Sequence, residues 1–233
     1  FRMITSNDIA SCNNCIYRKL LFESLSDEEY EEVNNSRVEY IYKRGEIIRQ
    51  EGDPINSFLY LRSGLIKLYK TNKSGKDHIL SINKPGDFIS LLSIFSNSVY
   101  KYSITAIEET KVCEVGLSSL QRVVVSNSAF ALRVLNRMSN VSDDIIESQF
   151  EIRQRQVKGR IAYFLLFLAD RIYRKHEFRL PITRREIGEL ISMTTENTIR
   201  TLSEFRKDGI ISMDGKIITI LDYNRMVSIS KTG

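Results

Sequence analysis

No glycine or proline interrupts residues 117 to 158 of this 233-residue chain. Within that stretch Ala131, Leu135, Met138, Ser142, Ile145 and Gln149 recur at spacings of three and four, the period of one helix face. A helix of about 30 residues is about 45 Å long, more than a small domain needs to cover its own core. The seam therefore predicts a helix-paired homodimer over residues 117–152, with Ala131, Leu135, Met138, Ser142 and Ile145 at the interface. Packing of the same helix on its own domain is the plainer alternative.

The pattern ahead of that stretch is different. Short runs rich in Val, Ile, Leu and Tyr occupy residues 38–42, 46–49, 58–61, 65–69, 78–82, 103–107 and 111–115. Turn signals separate them, among them Arg44-Gly45, Gly52-Asp53-Pro54, Ser63-Gly64, Ser74-Gly75 and Pro85-Gly86-Asp87. Short strands punctuated by glycine at intervals of about 8–12 residues predict an all-β barrel or sandwich. Ser26 and Glu29 are spaced as a capping box, which starts a short helix ahead of the strands.

After residue 152 the helical period returns, and so does net charge. Residues 1–150 hold 18 Lys and Arg against 19 Asp and Glu, whereas residues 151–233 hold 16 against 10. All the excess positive charge lies in the last third, which suggests a polyanionic partner such as nucleic acid. Thr183 and Glu186 form a second capping-box pattern, and Thr194 can cap a further helix after the turn Ser192-Met193. Asp214-Gly215 between two apolar runs is a strong hairpin signal. Two helices, a tight turn and a hairpin predict a winged helix-turn-helix. On a helical wheel of the second helix, Thr198, Thr201, Leu202 and Phe205 form one stripe. Glu196, Arg200, Ser203 and Lys207 form the opposite one, with apolar Ile199 beside them. A polar face of this kind suits a major groove. Ile199 is either an incidental surface residue or a contact for a thymine methyl group.

Other classes of function find little support. No glycine-rich phosphate loop is present, and His78 and His176 stand apart, so neither a triad nor a metal cage is built on them. Neither histidine is placed as a haem ligand. An adaptor that uses its helix-turn-helix for protein contact fits poorly with the Asp214-Gly215 wing and the basic C-terminal third. With no apolar run long enough for a membrane span and no signal-peptide core, the expected compartment is the cytoplasm.

Ordered segments along nearly the whole chain resemble the CRP/FNR superfamily of bacterial transcription regulators. They include Lys43-Arg44-Gly45-Glu46, Leu61-Arg62-Ser63-Gly64-Leu65, Pro85-Gly86-Asp87-Phe88, Val157-Lys158-Gly159-Arg160-Ile161-Ala162, Ile182-Thr183-Arg184-Arg185-Glu186-Ile187-Gly188 and Thr195-Glu196-Asn197-Thr198-Ile199-Arg200. The resemblance implies an α+β protein: an N-terminal double-stranded, jelly-roll-like β-roll (1–116), a dimerisation helix (117–152) and a winged helix-turn-helix (153–233). It implies a homodimer on double-stranded DNA, with RNA polymerase as a further partner. Glu196 and Arg200 become the reading residues for a TGA-containing half-site, flanked by Thr194, Thr195, Ile199 and Ser203. Arg184 and Arg185 are expected to hold phosphates.

The same resemblance weakens one effector and raises another. Cyclic-nucleotide members use a Gly-Glu pair and an Arg-Ser pair; here Ser90-Leu91 and Tyr100-Lys101 stand near those places. Leucine accepts no hydrogen bond from a ribose, and lysine offers a point charge rather than a bidentate fork. These residues argue against cyclic AMP as the ligand, and a divergent cyclic-nucleotide cassette is the alternative. Cys12, Cys15 and Cys113 match three of the four cysteines that hold an iron–sulfur cluster in the oxygen-sensing branch. The fourth would fall at Leu21, leaving the set one thiolate short of a four-iron cluster. Unliganded thiols, a redox pair and half of a zinc site are the other readings of these cysteines.

Overall fold

A computed structural model describes residues 16–73, 75–91, 93–95 and 98–232. The chain divides into two compact units: Phe1–Thr71 with Leu80–Asp144, and Asn72–Ile79 with Ile145–Gly233.

The first unit is the β-roll. Helix α1 (Ile16–Leu20), a 3-10 turn (Phe22–Ser24) and α2 (Asp27–Asn35) lead into it. Both halves of the Ser26–Glu29 capping box form at the start of α2. Strands β1 (Arg37–Tyr42), β3 (Ser57–Ser63) and β7 (Thr110–Gly116) make one antiparallel sheet in the order β1-β7-β3. Strands β2 (Ile47–Arg49), β4 (Ile66–Thr71), β5 (Asp77–Asn83) and β6 (Ser103–Ala106) make the second, in the order β2-β6-β4-β5. His78 lies on β5, within the strand expected over 78–82.

Phe58, Leu59, Tyr60 and Leu61 are consecutive and all buried. A strand alternates only when one of its faces meets water. The outer face of the β1-β7-β3 sheet is instead covered, with α2 packing on β7 and α3 (Leu117–Ser126) on β3 and β7. Tyr17 fastens α1 to this sheet. Its hydroxyl donates to Leu61 O and accepts from Gly86 N at 2.7 Å, and its ring lies against Tyr60 and Phe88.

The uninterrupted helix expected over 117–152 is broken at Asn127. This residue is extended (φ −119°, ψ 99°) between α3 and α4 (Ser128–Gln154). Its Oδ1 accepts from Phe130 N at 2.9 Å, satisfying a donor at the start of α4. Its Nδ2 donates to Ser24 O at 3.2 Å and Glu29 Oε2 at 2.8 Å.

Helix α4 carries two apolar stripes. Phe130 and Val134 are buried, and Met138 and Val141 pack with them against the roll core. Leu132, Leu135, Ile146 and Phe150 are 61%, 57%, 67% and 63% exposed. The expected seam mixed the two. Met138 belongs to the core, Ala131 and Ser142 are half-buried on the flank between the stripes, and Leu135 and Ile145 are exposed. Among the described residues no helix is long and apolar enough to cross a membrane.

The second unit contains α5 (Val157–Leu166), a π-helical turn (Phe167–Tyr173), β8 (Glu177–Arg179), α6 (Arg184–Leu190), α7 (Thr195–Lys207), β9 (Ile211–Asp214), β10 (Ile217–Ile220) and α8 (Tyr223–Thr232). The sheet order is β8-β10-β9. Asp222 Oδ1 accepts from Arg225 N at 2.9 Å and so caps α8, whose Met226 is wholly buried. Arg155 joins α4 to this last helix by donating from Nε to Ser230 O at 2.6 Å, and its guanidinium lies over the Tyr163 ring at 4.5 Å.

Candidate nucleic-acid interface and effector site

The helix-turn-helix is built by caps and one close approach. Thr183 Oγ1 accepts from Glu186 N, and Glu186 Oε2 accepts from Thr183 N at 2.8 Å. This capping box starts α6, and Thr194 Oγ1 accepting from Asn197 N at 3.2 Å starts α7. Between them Ser192 takes φ +56°, and Met193 N donates to Gly188 O at 2.7 Å. A Cβ on Gly188 would stand 2.8 Å from Met193 O and 3.1 Å from Thr198 Oγ1. Gly188→Ala should therefore push the two helices apart and destabilise this unit by about 1–3 kcal/mol. A thermal melt that matches wild type would contradict this packing.

Arg160 holds the turn from behind. Its Nη1 donates to Ser192 O at 2.9 Å and Ile191 O at 3.4 Å, satisfying carbonyls beyond the end of α6. Sequence patterning did not single out this role, because its partners lie more than thirty residues away. Arg184 Nη2 donates to Gly215 O at 2.7 Å and braces the tip of the β9–β10 wing. Arg185 is exposed, with its Nε 3.3 Å from Glu189 Oε1.

Helix α7 buries Thr198, Thr201, Leu202 and Phe205. Its opposite face exposes Glu196, Ile199, Arg200 and Ser203, with Thr194 exposed and Thr195 half-exposed at its start. Ile199 is 49% exposed. One helix face thus presents an acceptor, a cationic fork and an apolar side chain together, the three chemistries that read base edges.

In the roll, three of the four expected effector residues are buried and the fourth is exposed. Ser90 is buried, and its Oγ accepts from Leu59 N at 2.9 Å. Leu91 and Tyr100 are part of the hydrophobic core, whereas Lys101 is exposed. Burial pushes the Tyr100 hydroxyl well above the usual tyrosine range, so it stays protonated. Arg49, beside it, is already committed. It meets Glu114 at 2.5 Å and Ser57 Oγ at 3.4 Å, and donates to Ile48 O at 2.6 Å.

Residues 40–127 match the family described as "Cyclic nucleotide-binding domain", and residues 159–229 match "Crp-like helix-turn-helix domain". The chain is 30% identical over 222 residues to the regulatory protein HlyX of Actinobacillus pleuropneumoniae, spanning 92% of this chain and 90% of that protein. It is 29% identical over 228 residues to the anaerobic regulatory protein of Pasteurella multocida, spanning 95% of this chain and 83% of that protein. Among solved structures, FixK2 from Bradyrhizobium japonicum matches with a TM-score of 0.74 at 25% identity, over 84% of this chain and 98% of that one. The chain belongs to the CRP/FNR family of transcription regulators. It is a DNA-binding regulator and not an enzyme.

Within the CRP/FNR family the iron–sulfur branch sets a requirement for four thiolates. Cys12 and Cys15 lie outside the described residues. Cys113 is buried on β7, where Arg37 Nη1 donates to its sulfur at 3.6 Å and the thiol donates to Glu39 Oε2 at 3.7 Å. Leu21, at the place of the fourth cysteine, is wholly buried in apolar core. Among the described residues no three His, Cys, Asp or Glu side chains converge on a metal position. Among the described residues Cys113 is the one thiol at these places, and Leu21 offers none.

Burial pushes the Cys113 thiol up to about 11, which keeps it protonated at neutral pH. Brief alkylation of native protein at pH 8 should leave Cys113 unmodified by mass spectrometry, with modification appearing after denaturation. Rapid labelling of the native thiol would contradict this placement.

Proposed function

We propose that this CRP/FNR-family regulator acts as a homodimer on an inverted repeat of TGA-containing half-sites, with an effector other than cyclic AMP or with none. The observation that carries the reading is the exposed face of α7, where Glu196 and Arg200 stand on the side opposite the buried stripe. An arginine fork donates to guanine O6 and N7, and a glutamate accepts from a cytosine amine. Ile199 adds a methyl-sized contact that favours thymine at the adjoining base pair. Arg184 and Arg185 hold phosphates and contribute affinity without sequence preference. Two-fold symmetry places the half-site centres about one helical turn apart, with RNA polymerase as the further partner.

The exposed stripe of Leu132, Leu135, Ile146 and Phe150 supports pairing through α4. Selection from a random duplex library tests the whole reading. Enrichment of inverted TGA repeats is expected, and enrichment of sites without that symmetry would refute it.

The buried Leu91 and Tyr100 support the negative part. Cyclic AMP would forgo a ribose acceptor and a phosphate fork, each worth about 1.5–3 kcal/mol when charged. Titration calorimetry should show no binding at micromolar ligand, and micromolar affinity would overturn this point.

A further inference from the structure

Arg200 is not a loose side chain on the face of α7. Its Nη2 donates to Asn197 Oδ1 at 2.9 Å, one turn back along the helix. Its Nε stands 3.9 Å from Glu204 Oε1, one turn ahead. Glu204 is drawn aside by a closer partner, since its Oε2 meets Lys158 Nζ at 2.9 Å. The asparagine is thus the nearer of the two acceptors around the guanidinium. The Asn197 side chain is not needed to cap the helix, because Thr194 Oγ1 already accepts from the Asn197 backbone N–H.

Holding an arginine this way has a chemical consequence. The side chain carries much rotamer entropy, which a bidentate contact must freeze. Guanidinium offers five N–H donors in a rigid fork. One bond to Asn197 uses a single donor and leaves an Nη1–Nη2 pair for a base edge. Preorganisation of that pair strengthens the contact that discriminates guanine and adds nothing to contacts with phosphates. We propose that Asn197 is a specificity-determining positioning residue: it orients the Arg200 fork and so sets how strictly guanine is required. The inference rests on the reading of α7 given above.

Fluorescence anisotropy at fixed salt tests it, with wild-type, Asn197→Ala and Arg200→Ala proteins. The probes are a duplex with inverted TGA half-sites, duplexes with the guanine pair or the adjacent adenine pair replaced, and an unrelated duplex. Asn197→Ala is expected to lower discrimination at the guanine pair about two- to tenfold, the worth of one hydrogen bond. Affinity for the unrelated duplex, its salt slope and the melting temperature should match wild type. Unchanged guanine discrimination in Asn197→Ala overturns the proposal while leaving the reading of α7 intact. A loss at the adenine pair instead makes Asn197 a direct reader, and equal losses on every duplex mark a structural role; either result overturns it. Wild-type protein indifferent to the guanine pair overturns the reading of α7 and this inference with it.

Discussion

Leu135→Glu combined with Ile146→Glu should leave the protein monomeric by light scattering and without measurable preference for an inverted repeat. Both side chains are exposed on α4, at 57% and 67%, on the stripe opposite the one that packs into the roll. In a paired helix each glutamate would bury an unpartnered carboxylate, at a cost of several kcal/mol per ion. Without pairing, the two half-sites are no longer bound as one unit, and about 10²–10⁴ in affinity is lost. The roll itself should stay folded, because neither residue belongs to its core. Met138→Glu makes the contrasting control. That side chain packs against the core, so its replacement should lower the melting temperature whether or not the protein dimerises. A Leu135→Glu/Ile146→Glu protein that remains dimeric would show that α4 pairs through another face, or not at all.

The second large effect separates reading from holding. Arg200→Ala should cost about 1–3 kcal/mol on the cognate site and remove the preference at the guanine pair. Arg184→Ala should weaken every sequence alike and reduce the salt slope by about one phosphate contact. The structure gives a reason for the difference. Arg184 lies at the start of α6 and is bonded to the wing at Gly215 O, whereas Arg200 stands 67% exposed in mid-α7. Equal behaviour of the two variants across sequences would refute the division of roles.

Where signals were local, the order of elements was legible from residue pattern alone. Strands β1 to β7 follow their apolar runs and glycine turns, and both capping boxes start the helices expected of them. The buried stripe of α7 contains the four residues that helical periodicity selects. Three features were missed for physical reasons. Asn127 breaks a stretch without glycine or proline by capping with its own side chain, a subtler signal than either breaker. β8 is three residues long and gains its pairing from β10, about forty residues away. The seam of α4 was phased between two apolar stripes, because a helix covering its own roll and exposing a second stripe carries hydrophobic residues on both sides. Within the candidate site, Arg160 acts through bonds that only the folded chain brings together, whereas Asn197 bonds Arg200 one turn along the same helix, a spacing that the sequence does carry. The effector residues were located by resemblance, but the burial of Ser90, Leu91 and Tyr100 follows from how the roll packs.

Reading of guanine by Arg200 on the exposed face of α7 is the expectation on which the others depend. Its most direct measurement is the dissociation constant of wild-type and Arg200→Ala proteins for duplexes in which each base pair of a TGA half-site is changed in turn, at one salt concentration. The wild-type protein should lose about 1–3 kcal/mol when the guanine pair is changed, and Arg200→Ala should bind that duplex and the cognate duplex equally. A wild-type protein indifferent to the guanine pair, or an Arg200→Ala protein that still prefers it, would contradict the account.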